Sequence, residues 1–496
     1  MPRSDLAGSR LAGPTLGALR VLGEKALSRA AGAPLVPGNR IRLLRDATEN
    51  HPAWLAALDA ARETVYLESY ILADDVVGNR FADALAACAD RGVRVRVLHD
   101  WLGDRGEAGR RFWHRLQAAG VDVRTFNPFR FDAPLAWLWR NHRKSLVVDR
   151  RVGFVTGVCI ADRWAGAPER GVPPWRDTGV EIEGPAVADL AAAFAAAWAD
   201  AGPPLPAEEL AARGDAAPAG DVALRVVATE PATAGLYRLE LLVAVLARHR
   251  LWITDAYFVG VPSYTQALRA AALDGVDVRL LVPGTSDLGI VKRLGVAGYR
   301  PLLEAGVRVF EWNGPMLHAK TAVADGRWAR VGSSNLNVAS WMGNWEMDVA
   351  ADDPGFAHQM EQAFVEDLAN ATEVVLEAAR GLRRHAPEHP SSGPREREGS
   401  AVAAAGALRL GSAVGAALGG RRVLGPADSG PLAWAGVALL SAALVATFFP
   451  HAVLVPVIVV QIWFGVTLVA HAIRMRRGGT RRVQPRVSDP PSPGER

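Results

Sequence analysis

Two short stretches of the chain repeat one pattern of chemically useful side chains. His142-Arg143-Lys144 runs through Ser-Leu-Val-Val to Asp149, and His318-Ala319-Lys320 runs through Thr-Ala-Val-Ala to Asp325. Both read His-x-Lys-x(4)-Asp. In extended backbone, residues i and i+2 share a face, so each copy presents an imidazole and an ammonium side by side. The imidazole can attack or carry a proton, and the ammonium can neutralise an oxyanion. Only Lys25, Lys144, Lys292 and Lys320 among the 56 Lys and Arg residues are lysine. Where arginine fills almost every cationic position, a retained lysine marks a place that needs a compact charge, and the motif holds two of the four.

Each copy is followed by a carboxylate in the same kind of setting. Asp177 lies 35 residues after His142 in WRDTGV, and Glu346 lies 28 after His318 in NWEMDV. A carboxylate on one ring nitrogen fixes the tautomer and raises the basicity of the other, so the expected partners are Asp177 for His142 and Glu346 for His318. Ser333, Ser334 and Asn335, which follow His318 within GSSN, offer hydroxyl and amide groups to phosphate oxygens. No Cys/His cluster has zinc spacing and no Asp-rich calcium loop occurs, so neither metal nor cofactor is expected, the lysines supplying the positive charge.

The elements that must position these groups form an α/β chain. Thr64–Tyr70 (TVYLESY) and Val93–His99 (VRVRVLH) read as strands around a helix at Arg80–Asp90. Leu251–Tyr257 (LWITDAY) and Val276–Val282 (VDVRLLV) repeat the arrangement around Tyr264–Leu273. Such alternation predicts a largely parallel sheet covered by helices. Arg91-Gly92-Val93-Arg94-Val95 is echoed by Asp274-Gly275-Val276-Asp277-Val278, so the chain is an internal duplication. The expected lobes are 38–200 and 222–380, joined by an Ala/Pro/Gly-rich linker at 201–221. A charged, proline-broken linker is expected over 381–430.

The 496 residues exceed what one domain of ~150 residues needs. With 50% hydrophobic and 22% charged residues the chain has a globular balance. A net charge of +4 gives no reason to expect nucleic acid. Cys88 and Cys159 lie far apart, as suits a reducing compartment, and read as inert packing residues. Within 1–37, Leu16, Leu19, Leu22 and Ala26 recur at helical spacing, which predicts an amphipathic helix on the first domain or on a membrane. Residues 431–473 carry no Asp, Glu, Lys or Arg and are divided by Pro450 and His451. That length suits two membrane crossings of ~20 residues each. Arg421 and Arg422 before the segment, and the basic tail of 474–496 after it, place both flanks in the cytoplasm. The expected protein is therefore a multi-pass protein of the cell membrane with its lobes in the cytoplasm. Trp137, Leu138 and Trp139 stand just before the first motif, where they could dip into a bilayer or fill the core.

On these motifs the chain resembles the phospholipase D superfamily, over roughly residues 38–378. RGVRVRVLHDWLG (91–103), NHRKSLVVD (141–149), LLEAGVRVFEW (302–312) and LHAKTAVADG (317–326) are most similar to its bacterial cardiolipin synthase branch. The resemblance implies two phospholipase D-type α/β lobes with the active site at their interface. It further implies a nucleophilic His142 that forms a phosphohistidine, His318 as general acid, and Lys144 and Lys320 on the phosphate oxygens. Asp149 and Asp325 complete the motif and are expected to brace the fold locally. Two positions depart from the family pattern. Thr156-Gly157-Val158-Cys159 stands where Gly-Gly-x-Asn is usual, and Asn337-Val338-Ala339-Ser340 stands where Asp-x-Arg-Ser is common.

The leading expectation is thus a membrane-attached phosphatidyl transferase that joins two phosphatidylglycerols into cardiolipin and releases glycerol. A hydrolytic phospholipase D differs only in letting water resolve the intermediate. A nuclease of the same superfamily is disfavoured by the small net charge and the apolar C-terminal segment, and an inactive scaffold by the two intact motifs.

Overall fold

The computed structural model describes residues 16–129, 139–209, 217–288, 292, 295–377 and 381–385, together with scattered positions between 437 and 469. Trp137, Leu138, nearly all of the expected hairpin over 431–473 and the tail of 474–496 lie outside the described residues. Among the described residues no helix is long and apolar enough to cross a membrane. Both lobes belong to one compact unit.

The first lobe comprises β1 (Val36–Arg45), α2 (Asp46–Ala60), β2 (Thr64–Ser69), α3 (Val76–Asp90), β3 (Arg94–Asp100), α4 (Arg110–Ala118) and β4 (Asp122–Phe126). It continues through β5 (Ser145–Val148), β6 (Val152–Thr156), α5 (Asp162–Ala165), β7 (Thr178–Glu183) and α6 (Val187–Asp200). The second lobe repeats this course as β8 (Val222–Thr229), α7 (Gly235–Leu246), β9 (Arg250–Thr254), α8 (Pro262–Leu273), β10 (Asp277–Pro283), α9 (Tyr299–Glu304) and β11 (Arg308–Trp312). Then come β12 (Thr321–Ala324), β13 (Trp328–Gly332), β14 (Glu346–Asp352) and α10 (Pro354–Leu368), with β15 (Ala371–Glu377) and β16 (Gly381–His385) added at the edge. β16 pairs with β15, so the start of the expected 381–430 linker is strand.

Local chemistry explains the repeated units. All six residues of β2 are buried, as a strand covered on both faces must be. Asp75 caps α3 by accepting from Gly78 N, and Phe81, Leu85 and Cys88 line its inner face at helical spacing. At the turns into β3 and β10, Gly92 and Gly275 take φ of +82° and +91°, the left-handed conformation that glycine adopts without a Cβ penalty.

The lobes share one 16-stranded sheet, joined at the antiparallel β1–β8 pair. Outward from that seam the first lobe runs β1-β7-β6-β5-β2-β3-β4, and the second runs β8-β14-β13-β12-β9-β10-β11 before its edge pair. The match is strand for strand. The expected parallel sheet is confined to β2-β3-β4 and β9-β10-β11; the strands nearer the seam are antiparallel. Three-residue turns join β5 to β6 and β12 to β13, and so short a connection permits only an antiparallel pair. One core layer runs under both lobes, with Phe194 and Trp198 of α6 and Phe356 and Phe364 of α10 in the same cluster.

Asp149 and Asp325 sit past the far ends of β5 and β12 from the histidines, both at positive φ. Asp149 accepts from the amides of Arg62, Glu63 and Thr64 at 2.9, 2.7 and 2.9 Å. Asp325 accepts from those of Arg248, His249 and Arg250 at 2.9, 2.8 and 2.9 Å. Each therefore ties the motif strand to the start of its neighbour, and neither belongs with the catalytic groups.

The N-terminal helix α1 (Leu16–Ala31) packs on the second lobe, not on the first as its place in the chain suggested. Leu27, Ala31 and Ala33 join the cluster of Leu236 and Leu239 from α7. Glu24 pairs with the buried Arg225 of β8 at 2.8 Å.

Candidate active site

The two His-x-Lys segments are extended lead-ins to β5 and β12, one to three residues ahead of the strands themselves. Each is hooked onto the opposite lobe. His142 N donates to Trp345 O at 2.9 Å, and His318 N donates to Arg176 O at 2.7 Å. Trp345 and Arg176 immediately precede Glu346 and Asp177, so the seam delivers each carboxylate to the histidine of the other repeat.

The side chains carry the crossing through. His142 Nδ1 meets Glu346 Oε2 at 2.9 Å, and His318 Nδ1 meets Asp177 Oδ2 at 2.7 Å. This corrects the expected pairing of Asp177 with His142 and Glu346 with His318: the partners are exchanged. Arg143, fully buried between the motif residues, reinforces the contact by donating to Glu346 O at 3.1 Å and to Thr229 O at 3.4 Å. Engaging Nδ1 leaves Nε2 of each ring as the reactive nitrogen.

Electrostatics tie the two halves into one site. Burial, together with the ammoniums of Lys144 and Lys320, holds His142 below the ordinary imidazole range. Burial and the Lys320 ammonium push His318 down to about 3, and Lys144 adds to the effect. Each ring thus feels both lysines. Burial pushes the Glu346 and Asp177 carboxyls up, but the imidazoles and lysines facing them prevail and leave both below the usual carboxylate range. The substrate-free site therefore holds neutral imidazoles that donate from Nδ1 to ionised carboxylates. An anionic phosphodiester entering between the lysines offsets their charge and favours protonation of one ring, which a general acid requires.

Lys144 Nζ donates to His142 O at 2.6 Å, and Lys320 Nζ donates likewise to His318 O. Burial pushes Lys320 down to about 8. Its charge is present below that pH and lost above it, so kcat/KM should fall on the alkaline side with an apparent pKa of about 8. A pH profile that stays flat into the ordinary lysine range would refute a need for the Lys320 ammonium.

The GSSN segment behaves differently from expectation. Ser333 donates to Glu346 Oε2 at 2.6 Å, and Ser334 donates to Asp348. Both hydroxyls are committed to carboxylates and serve to hold them. Asn335 is buried beside them, and its Oδ1, an acceptor, has no hydrogen-bond partner within the protein. Cys159 occupies the equivalent place in the first lobe, fully buried, and burial pushes its thiol up into the neutral form. Gly157, the counterpart of Ser333, is required where it stands: a Cβ there would lie 2.2 Å from Asp177 Oδ1.

Sequence reasoning missed the aromatic walls. Tyr70 packs edge-on to His142 at 4.9 Å and lies under Lys144, also at 4.9 Å. Tyr257 is 5.8 Å from His318 and 5.8 Å from the Lys320 ammonium. Trp164 and Trp175 complete the wall around His318 at 5.4 and 6.0 Å. The signal was present, since TVYLESY and LWITDAY both end in tyrosine where the duplicated β2 and β9 run out.

Known proteins resemble this chain in sequence and in fold. A family model described as cardiolipin synthase, PLD-like domain, matches residues 54–169 and 245–368. Cardiolipin synthase A of Pseudomonas aeruginosa is 36% identical over 373 residues, covering 73% of this chain and 74% of that protein. The protein of the same name from Pseudomonas entomophila is 34% identical over 370 residues, covering 73% and 75%. Among solved structures, the phosphatidylserine synthase of Haemophilus influenzae superposes with a TM-score of 0.56 at 15% identity, covering 71% of this chain and 92% of that one, a likeness of fold.

Proposed function

The chain belongs to the cardiolipin synthase family of phospholipase D-like enzymes, and from that premise we propose that it joins two phosphatidylglycerols into cardiolipin and glycerol through a phosphohistidine. The observation that carries the mechanism is the crossed pair of His–carboxylate contacts at 2.9 and 2.7 Å, which gives one site two oriented imidazoles. In the first step His142 Nε2 forms a bond to phosphorus, the bond to glycerol oxygen breaks, and His318 gives that oxygen a proton. In the second, His318 takes the proton of the incoming primary hydroxyl while the new P–O bond forms and the P–N bond breaks. Lys144, Lys320 and Asn335 hold the phosphate oxygens as charge builds on them.

A membrane location fits a lipid substrate. The apolar segment 431–473 is proposed as a helical hairpin that keeps the lobes on the cytoplasmic face. Trp139, 45% exposed beside the first motif, and Met342, 44% exposed beside Glu346, would meet the lipid interface at the mouth of the site.

The decisive assay incubates the purified full-length protein with phosphatidylglycerol in detergent and excess chelator, with the products read by mass spectrometry. Cardiolipin and free glycerol in equal amounts are expected. Phosphatidic acid as the sole lipid product would make the protein a hydrolase instead.

A further inference from the structure

The two histidine segments meet the opposite lobe alike but are held by their own lobes differently. Across the seam, Trp345 N donates to Arg140 O at 2.8 Å and Arg176 N donates to Met316 O at 3.0 Å, one contact made twice. Within the first lobe, two fully buried carboxylates take hold of the His142 segment as well: Glu68 near the end of β2 and Asp100 at the end of β3. Asp100 Oδ2 accepts from Asn141 N at 2.9 Å, and Oδ1 accepts from Arg140 Nη1 at 3.1 Å and from the amides of Leu102 and Gly103 at 2.9 and 3.0 Å. Glu68 Oε1 accepts from Asn141 Nδ2 at 2.9 Å and Oε2 from the Ser145 hydroxyl at 3.2 Å, with the Arg143 guanidinium 3.8 Å away. Asn141 Oδ1 in turn accepts from Arg143 N at 3.2 Å. His142 thus stands inside a run in which Arg140, Asn141, Arg143 and Ser145 all engage one of two buried carboxylates.

The second repeat is built otherwise. Pro283 holds the place of Asp100, and Met316 and Leu317 hold those of Arg140 and Asn141. Asp255, the counterpart of Glu68, accepts instead from the amides of Tyr257 and Leu336 at 3.0 and 2.8 Å. Leu317 packs in the core shared by the lobes. Apolar packing is non-directional, whereas a buried hydrogen-bond network with its acceptors filled specifies one arrangement. An imidazole that must bond to phosphorus in line needs its nitrogen fixed more closely than one that passes a proton.

Resting on the reading of His142 as the nucleophile, we propose that Asp100, Glu68 and Asn141 are positioning residues for that histidine: they fix the backbone on both sides of it so that Nε2 meets phosphorus opposite the departing oxygen. They act through His142, without touching substrate. Binding of the phosphodiester rests on Lys144 and Lys320, so the clamp governs the rate of attack and not affinity.

The Glu68–Asn141 contact supplies a test because its polarity can be reversed. N141D sets two carboxylates against each other. Adding E68Q converts the opposing carboxylate into an amide that donates to the new one while its oxygen still accepts from Ser145, with the total charge restored. The burst of nitrophenol from a nitrophenyl phosphodiester is followed over substrate concentration in the full-length enzyme. N141D should lower the maximal burst rate by about 10- to 100-fold while the half-saturating concentration stays within about twofold of wild type, and E68Q/N141D should recover most of the rate. D100N, which places an NH2 group against a donor whichever way its amide is turned, should lose burst rate likewise. N141A, which buries no new charge, should show the same loss at unchanged affinity and gives the reading if N141D does not fold. Wild-type burst rates in N141A and D100N, a double variant no faster than N141D, or a loss confined to the half-saturating concentration would overturn the assignment. A wild type whose burst leaves no adduct on His142 would instead bring down the nucleophile reading, and the clamp with it.

Discussion

Replacing His142 by Asn is expected to abolish every phosphodiester reaction of the enzyme, by a factor on the order of 10⁴ or more, because no other nucleophile stands at its place. Replacing His318 by Asn should act differently although the duplication makes the two residues look alike. Its loss removes the proton for a poor alkoxide leaving group and the base for the incoming alcohol. A phosphodiester with a nitrophenol leaving group needs no such proton. H318N should therefore still release a burst of nitrophenol and then stall with the phosphoryl group on His142. Acid-labile adduct mapped by mass spectrometry to the peptide containing His142 is the expected result. Adduct on His318 in H142N would exchange the two roles, and the absence of any adduct from a wild type that turns over would remove the covalent step.

The crossed pairing makes a second large effect specific. E346Q should impair the ring of the first repeat, because Glu346 holds His142 and is itself held by Ser333 at 2.6 Å and Asn344 at 3.2 Å. With the nitrophenyl substrate, adduct formation should fall by roughly 10²–10⁴-fold, the scale on which a wrongly held imidazole loses its reactivity. D177N should leave that burst near the wild-type rate and slow the second step, since Asp177 holds His318. The opposite pattern, with D177N suppressing the burst, would mean that each carboxylate serves the histidine of its own repeat. Thermal unfolding of both variants separates these losses from a failure to fold, because each neutralises a fully buried carboxylate.

Much of this was legible in the residues because the duplication supplies an internal control. One His-x-Lys-x(4)-Asp says little; a second at the matching place in a repeated α/β unit shows which residues recur together. The apolar runs of β2 and β9 were legible because strands buried on both faces read as nearly continuous hydrophobic stretches, and β3 and β10 were legible through the alternation of charged and apolar residues at their starts. The sheet's mixed character was less so. The turns after Asp149 and Asp325 force β5–β6 and β12–β13 to be antiparallel, but spacing alone did not reveal which strands flank them.

The GSSN segment shows where residue type misleads. A serine near a phosphate site reads as a phosphate ligand until its neighbours are known, and here Glu346 and Asp348 take both hydroxyls first. Tyr70 and Tyr257 erred the other way, as aromatic ends of strands that reach an active site and an ordinary core look the same in one dimension.

By itself, then, the sequence determined the chemistry: two imidazoles, two ammoniums and two carboxylates in a duplicated α/β chain, the equipment for phosphoryl transfer through a histidine. Tertiary structure alone decided which carboxylate serves which ring. The repeats meet through the antiparallel β1–β8 pair, and that seam brings Arg176 and Trp345 onto the motif segments of the opposite lobe. Distance along the chain favours Asp177 for His142, but packing across the seam brings Glu346 there instead, because a carboxylate serves the imidazole it touches and not the one it follows in sequence.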